Sequence, residues 1–265
     1  MILGAVALGV LIGLSLGALG GGGSILTVPA LVFVLGLTAQ EATTGSLVIV
    51  GVTAAAASAG HARAGHTLWV RGALLALAGV PASVLGSSLN RSVDPNVLLL
   101  AFAVLMVVAA AGMLARARPR TEAPGASVAA ATRTAAGQSS APATAAKVVV
   151  AGLGIGFLTG FLGVGGGFII VPVLVVLLRY DMPDAIGTSL LVIALNSAVA
   201  LGARAGHGGF VWHVIVPFTL AAVVGSFAGR RVADRLDAAT LTRAFAVLLL
   251  AVAGYVAVRA GLGTV

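Results

Sequence analysis

Eight stretches of this 265-residue chain contain no Asp, Glu, Lys or Arg: residues 1–40, 42–62, 72–90, 95–115, 148–178, 185–203, 205–229 and 244–258. A helix needs about 20 apolar residues to cross a hydrocarbon core about 30 Å thick, so six of the eight fit one crossing each. Only 8% of the residues are charged and 60% are hydrophobic, whereas soluble domains carry roughly a quarter charged residues. A water-soluble globule and a disordered chain are both excluded, and the chain reads as an all-α polytopic protein of the lipid bilayer. The sequence has no cysteine, which removes a disulfide-stapled module, thiol redox chemistry and thiolate metal sites. Fifteen Lys and Arg against seven Asp and Glu give a net charge of +8. These basic residues lie between the apolar stretches, where they orient a membrane protein, so no nucleic-acid partner is expected. No Lys or Arg precedes the first apolar run. That run therefore reads as a first membrane element, not a removed signal peptide.

The two remaining stretches, 2–37 and 148–179, are too long for one crossing, and each is split by glycines. One holds Gly20-Gly21-Gly22-Gly23 and the other Gly163-Val164-Gly165-Gly166-Gly167. Each glycine costs a helix about 1 kcal/mol relative to alanine, so the expectation is a broken element, two arms joined by an unwound tip. Between the halves, Arg116 to Lys147 is rich in Ala, Pro, Ser, Thr and charge without apolar periodicity, the composition of a flexible linker. The expected organisation is residues 1–115 as a first membrane repeat, 116–147 as a cytoplasmic linker and 148–265 as a second membrane repeat.

The halves repeat. Shifting the sequence by 143 residues without a gap pairs Gly9, Gly13, Gly17 and Gly20 with Gly152, Gly156, Gly160 and Gly163. The same shift pairs Val28-Pro29 with Val171-Pro172, Ser46-Leu47 with Ser189-Leu190, Trp69 with Trp212, and Ala101 to Leu105 with Ala244 to Leu248. Paired Pro, Trp and glycine clusters in one register are hard to obtain by chance even in apolar sequence. If each broken element makes an even number of crossings, three full helices after it invert the second half. One side of the membrane then holds Arg63, Arg71, Arg116, Arg118, Arg120, Arg133, Lys147, Arg179, Arg230, Arg231, Arg235 and Arg243, leaving Arg91, Arg204 and Arg259 opposite, a 12 to 3 split. Parallel halves give 9 to 6 at best. Loop charge favours the cytoplasm, so inverted repeats with both termini outside are expected.

Inverted repeats whose broken helices meet near the bilayer midplane are an arrangement of secondary transporters. Unwound backbone survives at that depth only where protein or a water-filled cavity surrounds it, and free amides at a half-helix N-terminus favour an anion. The candidate substrate-binding residues are Gly20, Gly22 and Gly23 with Gly163, Gly165 and Gly166 at the tips. The hydroxyls of Thr44, Ser46, Thr188 and Ser189 join them, as does Asn196, polar where polarity is costly. Arg63 and Arg204 are candidates for charge at the cavity mouths. Other readings stand beside these. Glycines spaced by four, such as Gly9, Gly13 and Gly17, permit close helix packing, and hydroxyls near a helix start can cap it.

His61, His66, His207 and His213 fall in loops before the third full elements, with no carboxylate near them in sequence, and read as interfacial residues, with a proton relay as the minority view. Trp69 and Trp212 fit interface anchors; Asp94 and Asp237 fit helix N-caps. No nucleophile, base or metal cluster is evident inside a span and no Walker motif is present, so neither an enzyme nor direct ATP coupling is expected.

The duplicated pattern Gly13-x3-Gly17-x2-Gly20-x-Gly22-Gly23-x4-Val28-Pro29 and Gly156-x3-Gly160-x2-Gly163-x-Gly165-Gly166-x4-Val171-Pro172, with Gly187-Thr188-Ser189-Leu190 after the second copy, resembles the sulfite exporter TauE/SafE family, also called TSUP. The first half departs from it, reading Thr44-Gly45-Ser46-Leu47. The resemblance implies a prokaryotic inner-membrane permease for small sulfur-containing or organic anions such as sulfite, sulfoacetate or related sulfonates. The expectation is thus a secondary transporter for a small anion, working by alternating access without a cofactor. Its partners would be the bilayer, a coupling ion (H+ or Na+) and further copies of itself. A passive anion channel and a non-transport membrane subunit are the alternatives.

Overall fold

The computed structural model describes residues 2–90, 93, 95–117, 141–162, 167–203 and 210–261, and among them there is helix and no strand. The first broken element is α1 (Ile2–Leu19), a break at Gly20 and Gly21, then α2 (Gly22–Pro29) running into a π-helical turn (Ala30–Val34). Three long helices follow: α3 (Ala39–Arg63), α4 (Trp69–Asn90) and α5 (Pro95–Ala117). The second half repeats the order with α6 (Ala141–Leu162), α7 (Gly167–Pro172), a π-helical turn (Val173–Leu177), α8 (Met182–Ala203), α9 (Trp212–Ala233) and α10 (Ala238–Gly261). Among the described residues, five helices are long and apolar enough to cross a membrane: α3, α4, α8, α9 and α10. α5 carries a shorter apolar run, Leu100–Arg116. Residues 118–140 of the expected linker lie outside the described residues, and α6 is already helical from Ala141.

Local chemistry explains the boundaries. Thr38 and Glu41 form a reciprocal capping box at the start of α3: the Thr38 hydroxyl accepts from the Glu41 amide at 3.3 Å, and the Glu41 carboxylate accepts from the Thr38 amide at 3.0 Å, satisfying two end amides at once. Asp237 caps α10 as expected, accepting the Thr240 amide at 3.2 Å and the Thr240 hydroxyl at 2.5 Å. That hydroxyl bond holds the Asp237 carboxyl below its ordinary range. Asp94 lies outside the described residues. Pro29 and Pro172 stand at the same point of the repeat, and the ladder widens to a π-turn immediately after each. A proline has no amide to continue the i to i−4 series. Both turns end on a left-handed residue, Gly36 at φ 72° and Arg179 at φ 58°.

The first arm of each half packs on a helix of the other half. In α1, an added Cβ at Gly9, Gly13 or Gly17 would run into the backbone of Phe218, Ala222 or Ser226 on α9. In α6, Gly152, Gly156 and Gly160 meet Leu75, Gly79 and Ser83 of α4 in the same way. These partners differ by the same 143 residues, so the two interfaces are one interface used twice. Missing side chains let the helices approach backbone to backbone, which is the packing reading of the glycines spaced by four. α1 and α2 fold back on each other as a hairpin, with Gly23 against Ile12 and Leu16 near the tip and Gly4 against the Leu35 side chain at the base. α3 and α8, the equivalent helices, cross with Gly51 against Ser197, and the turn after α3 lies against Gly187 near the start of α8. They therefore run in opposite directions.

Candidate functional site

The tips of the two broken elements meet. Gly20 sits at φ 70°, the left-handed region that glycine enters without steric cost, and its amide closes α1 on the Leu16 carbonyl at 2.9 Å. Gly21 follows with ordinary right-handed angles, but an added Cβ there would overlap the carbonyl of Gly167, the first residue of α7. A Cβ on Gly167 would in turn overlap the Ser24 hydroxyl. Ser24 itself is tied to the tip, its hydroxyl donating to the Gly21 carbonyl at 2.6 Å. The start of α8 closes the crossing from the side: the Ser189 hydroxyl lies 2.6 Å from where a Gly20 Cβ would be, with Ile186 and Val171 next to it at 3.3 Å.

Of the residues singled out from sequence, Gly20 and Ser189 are brought together here, with Thr188 adjacent. Both hydroxyl residues are fully buried. The Ser189 hydroxyl donates to the Ile186 carbonyl at 2.8 Å, and the Thr188 hydroxyl accepts the Leu68 amide at 3.2 Å. Gly22 and Gly23 face elsewhere: Gly22 is covered by Leu248 and Phe245, and Gly23 by Ile12 and Leu16. Ser46 donates to the Thr43 carbonyl of its own helix at 2.9 Å, and Thr44 is buried. Asn196 is half-buried in mid-α8, and Arg63 is exposed at the end of α3. Gly163, Gly165, Gly166 and Arg204 lie outside the described residues. Gly21, Ser24 and Gly167 also belong to the crossing. Gly21 and Gly167 lie inside the two glycine clusters, which is their signal in the sequence, and Ser24 directly follows the first.

The crossing offers backbone polarity and hydroxyls. The N-terminus of α2 has no side-chain cap at Gly21, so its first amides point where a helix end presents partial positive charge. Among the described residues, no group of three or more His, Asp or Glu side chains could hold a metal ion.

The histidines depart from expectation. His61 is in the last turn of α3, not a loop, and it is buried with Nε2 3.3 Å from the carbonyl oxygen of Gly17. His66 does have a carboxylate beside it: its Nδ1 is 3.0 Å from Oδ1 of Asp184. The two are 118 residues apart in sequence, so the pairing is invisible until the halves are docked. His213 is exposed in the first turn of α9, and His207 lies outside the described residues. Trp69 and Trp212 both open their helices and are 55% exposed each.

The family model for the sulfite exporter TauE/SafE matches residues 5–256. The chain belongs to the TauE/SafE family. It is 35% identical over 255 residues to a probable membrane transporter protein of Xylella fastidiosa strain Temecula1, covering 94% of this chain and 92% of the relative. It is 24% identical over 257 residues to the probable membrane transporter protein YunE of Bacillus subtilis, covering 92% and 91%. No solved structure matches it. Membership of TauE/SafE makes the chain a multi-pass membrane transporter and not an enzyme. The duplicated glycine pattern that suggested the family is also the pattern that builds the swapped arms and the crossed tips.

Proposed function

We propose that this TauE/SafE protein moves a small anion, a sulfur oxyanion or organosulfonate such as sulfite or sulfoacetate, across the inner membrane by alternating access. The observation that carries the reading is the crossing of two broken hairpins at Gly21 and Gly167, with buried Ser189 and Thr188 at its side. Broken helices meeting between repeats are where secondary transporters bind substrate. An uncapped helix N-terminus favours a negative ligand. The family's printed name, sulfite exporter, supports a sulfur oxyanion.

Alternating access is read from the repeats. The opposed directions of α3 and α8 support inversion in the membrane plane. At one end of the bundle lie the end of α3, the start of α4, the end of α5, the start of α8 and the end of α9, carrying Arg63, Arg71, Arg116, Arg179, Arg230 and Arg231. By the loop-charge rule that end is cytoplasmic. Two inverted, similar halves sharing one site can rock against each other between states related by a pseudo-two-fold axis in the membrane plane.

The test is thermal unfolding of the detergent-solubilised protein with sulfite, thiosulfate, sulfoacetate, taurine, acetate and chloride. A ligand at 100 times its Kd stabilises the folded state by about 2.7 kcal/mol. Stabilisation by one sulfur oxyanion or sulfonate and not by chloride, lost in Gly20→Ala, is the expected result. Equal effects of all six, or none at all, would remove the anion site from the crossing.

A further inference from the structure

The turn joining α3 to α4 belongs to the first repeat, yet it is fastened to the start of α8 in the second. His66 Nδ1 lies 3.0 Å from Asp184 Oδ1, and the Leu68 amide donates to Thr188 at 3.2 Å. Gly187 has no room for a side chain beside the His66 carbonyl. The Arg71 guanidinium donates to the Tyr180 hydroxyl at 3.3 Å and stacks 5.6 Å from that ring's centre. Thr188 precedes Ser189, so this junction is continuous with the tip crossing.

In sequence the two halves differ at this point. The shift of 143 residues that pairs prolines, tryptophans and glycine stripes puts Glu41 where Asp184 stands and Gly209 where His66 stands. Glu41 is occupied by the Thr38 capping box.

We propose that His66 and Asp184 form a proton-binding site that controls the docking of the two repeats at the basic end of the protein. With the proton bound, imidazolium and carboxylate carry opposite charges across the hydrogen bond; without it a neutral imidazole faces the same carboxylate. The proton therefore favours the docked junction, and undocking favours its release, by linkage. The side chains are 44% and 36% exposed, so water delivers and removes the proton. The surrounding charges are His61 and Arg63 on α3, Arg71 on α4, and Arg179 and Asp181 on the segment entering α8; Arg230 of α9 and Asp234 just after it act on His61. Between the pair and the core, Thr67 is buried with a hydroxyl that has no partner, a polar atom that gains one when the turn lifts and water enters. The proposal rests on the transporter reading only for what the proton would drive.

The chain has no cysteine, so one thiol can report on the junction. Thr67→Cys places it where the lost hydroxyl makes no hydrogen bond; Ala64→Cys, in the same turn and exposed, is the reference. The maleimide labelling rate at 67 is compared with that at 64 from pH 5.5 to 8.5, each first divided by that thiol's measured thiolate fraction, since burial shifts the thiol at 67. The ratio is expected to rise by up to about fivefold toward alkaline pH, the size a partly exposed ion pair supplies. In His66→Gln and in Asp184→Asn it is expected to be high and flat. A flat ratio in the parent, or a rise that persists in His66→Gln, would overturn the proposal. No anion is present in this assay, so its failure leaves the anion reading standing, and a failed anion panel leaves the proton site standing.

Discussion

Gly21→Ala isolates what the crossing of the tips requires. The backbone at Gly21 is at φ −59° and ψ −16°, angles any residue adopts, so alanine carries no conformational penalty there. At such a position a Gly to Ala change would by itself stabilise by about 0.4–1 kcal/mol through the unfolded chain. The added methyl, however, overlaps the Gly167 carbonyl, and a carbon ordinarily approaches such an oxygen no closer than about 3.3 Å. Backbone, not a flexible side chain, must give way, so the two tips separate by more than an ångström. Overpacking of this kind costs about 1–3 kcal/mol. Net destabilisation of up to about 2.6 kcal/mol remains, or a midpoint lowered by up to about 10 °C at 2–4 °C per kcal/mol. Thermal unfolding in detergent reads it, with Gly154→Ala as control, since nothing lies within 4 Å of a Cβ there. In helix interior that control should gain up to about 1 kcal/mol. If the two variants unfold alike, the tips do not touch as described.

Other outcomes follow from the same geometry. Gly13→Ala and Gly156→Ala, at equivalent points of the two swapped interfaces, should each cost about 1–3 kcal/mol, and because the interfaces share no partner the double variant should show the sum; unequal losses in unfolding experiments would break the equivalence. Arg179→Gly should stabilise by about 1 kcal/mol, since a left-handed conformation costs a side-chain-bearing residue about 1–2 kcal/mol; a lower unfolding midpoint would contradict this. Asp237, held below its usual range by Thr240, stabilises α10 above its unfolded-state pKa near 3.9 and loses that contribution as pH falls through the lower folded value. The stability advantage of the parent over Asp237→Asn should therefore shrink below about pH 4, and an advantage that grows on acidification would contradict the cap.

Much of the fold could be read in advance because duplication made the sequence its own comparison. A register shared by Gly13 and Gly156, Pro29 and Pro172, and Trp69 and Trp212 gave the element order and the position of each break. What stayed hidden depends on how the halves dock. Nothing local to Gly13 says that Ala222 will cover it, and His66 has no carboxylate in sequence reach because its partner lies in the other repeat. The sequence places His61 in a loop because the uncharged run of α3 ends near it, whereas the helix continues to Arg63. Gly22 and Gly23 adjoin Gly20 in sequence, but α2 begins at Gly22, and successive residues of a helix point about 100° apart. Gly20 and Gly21, in the break, line the crossing, while Gly22 and Gly23 are covered by Phe245, Leu248, Ile12 and Leu16.

The exchange of first arms bears on how such a chain is made. Gly9 meets its partner at Phe218, about 200 residues later, and synthesis at 5–20 residues per second separates the two by about 10–40 s. For that interval the smooth face of α1 has no protein to lie on, so lipid or the insertion machinery must hold it. Neither repeat contains within itself the surface its own arm requires. A half expressed alone would leave its arm without that surface, and a single-repeat ancestor of a chain like this would have needed a second copy to supply it.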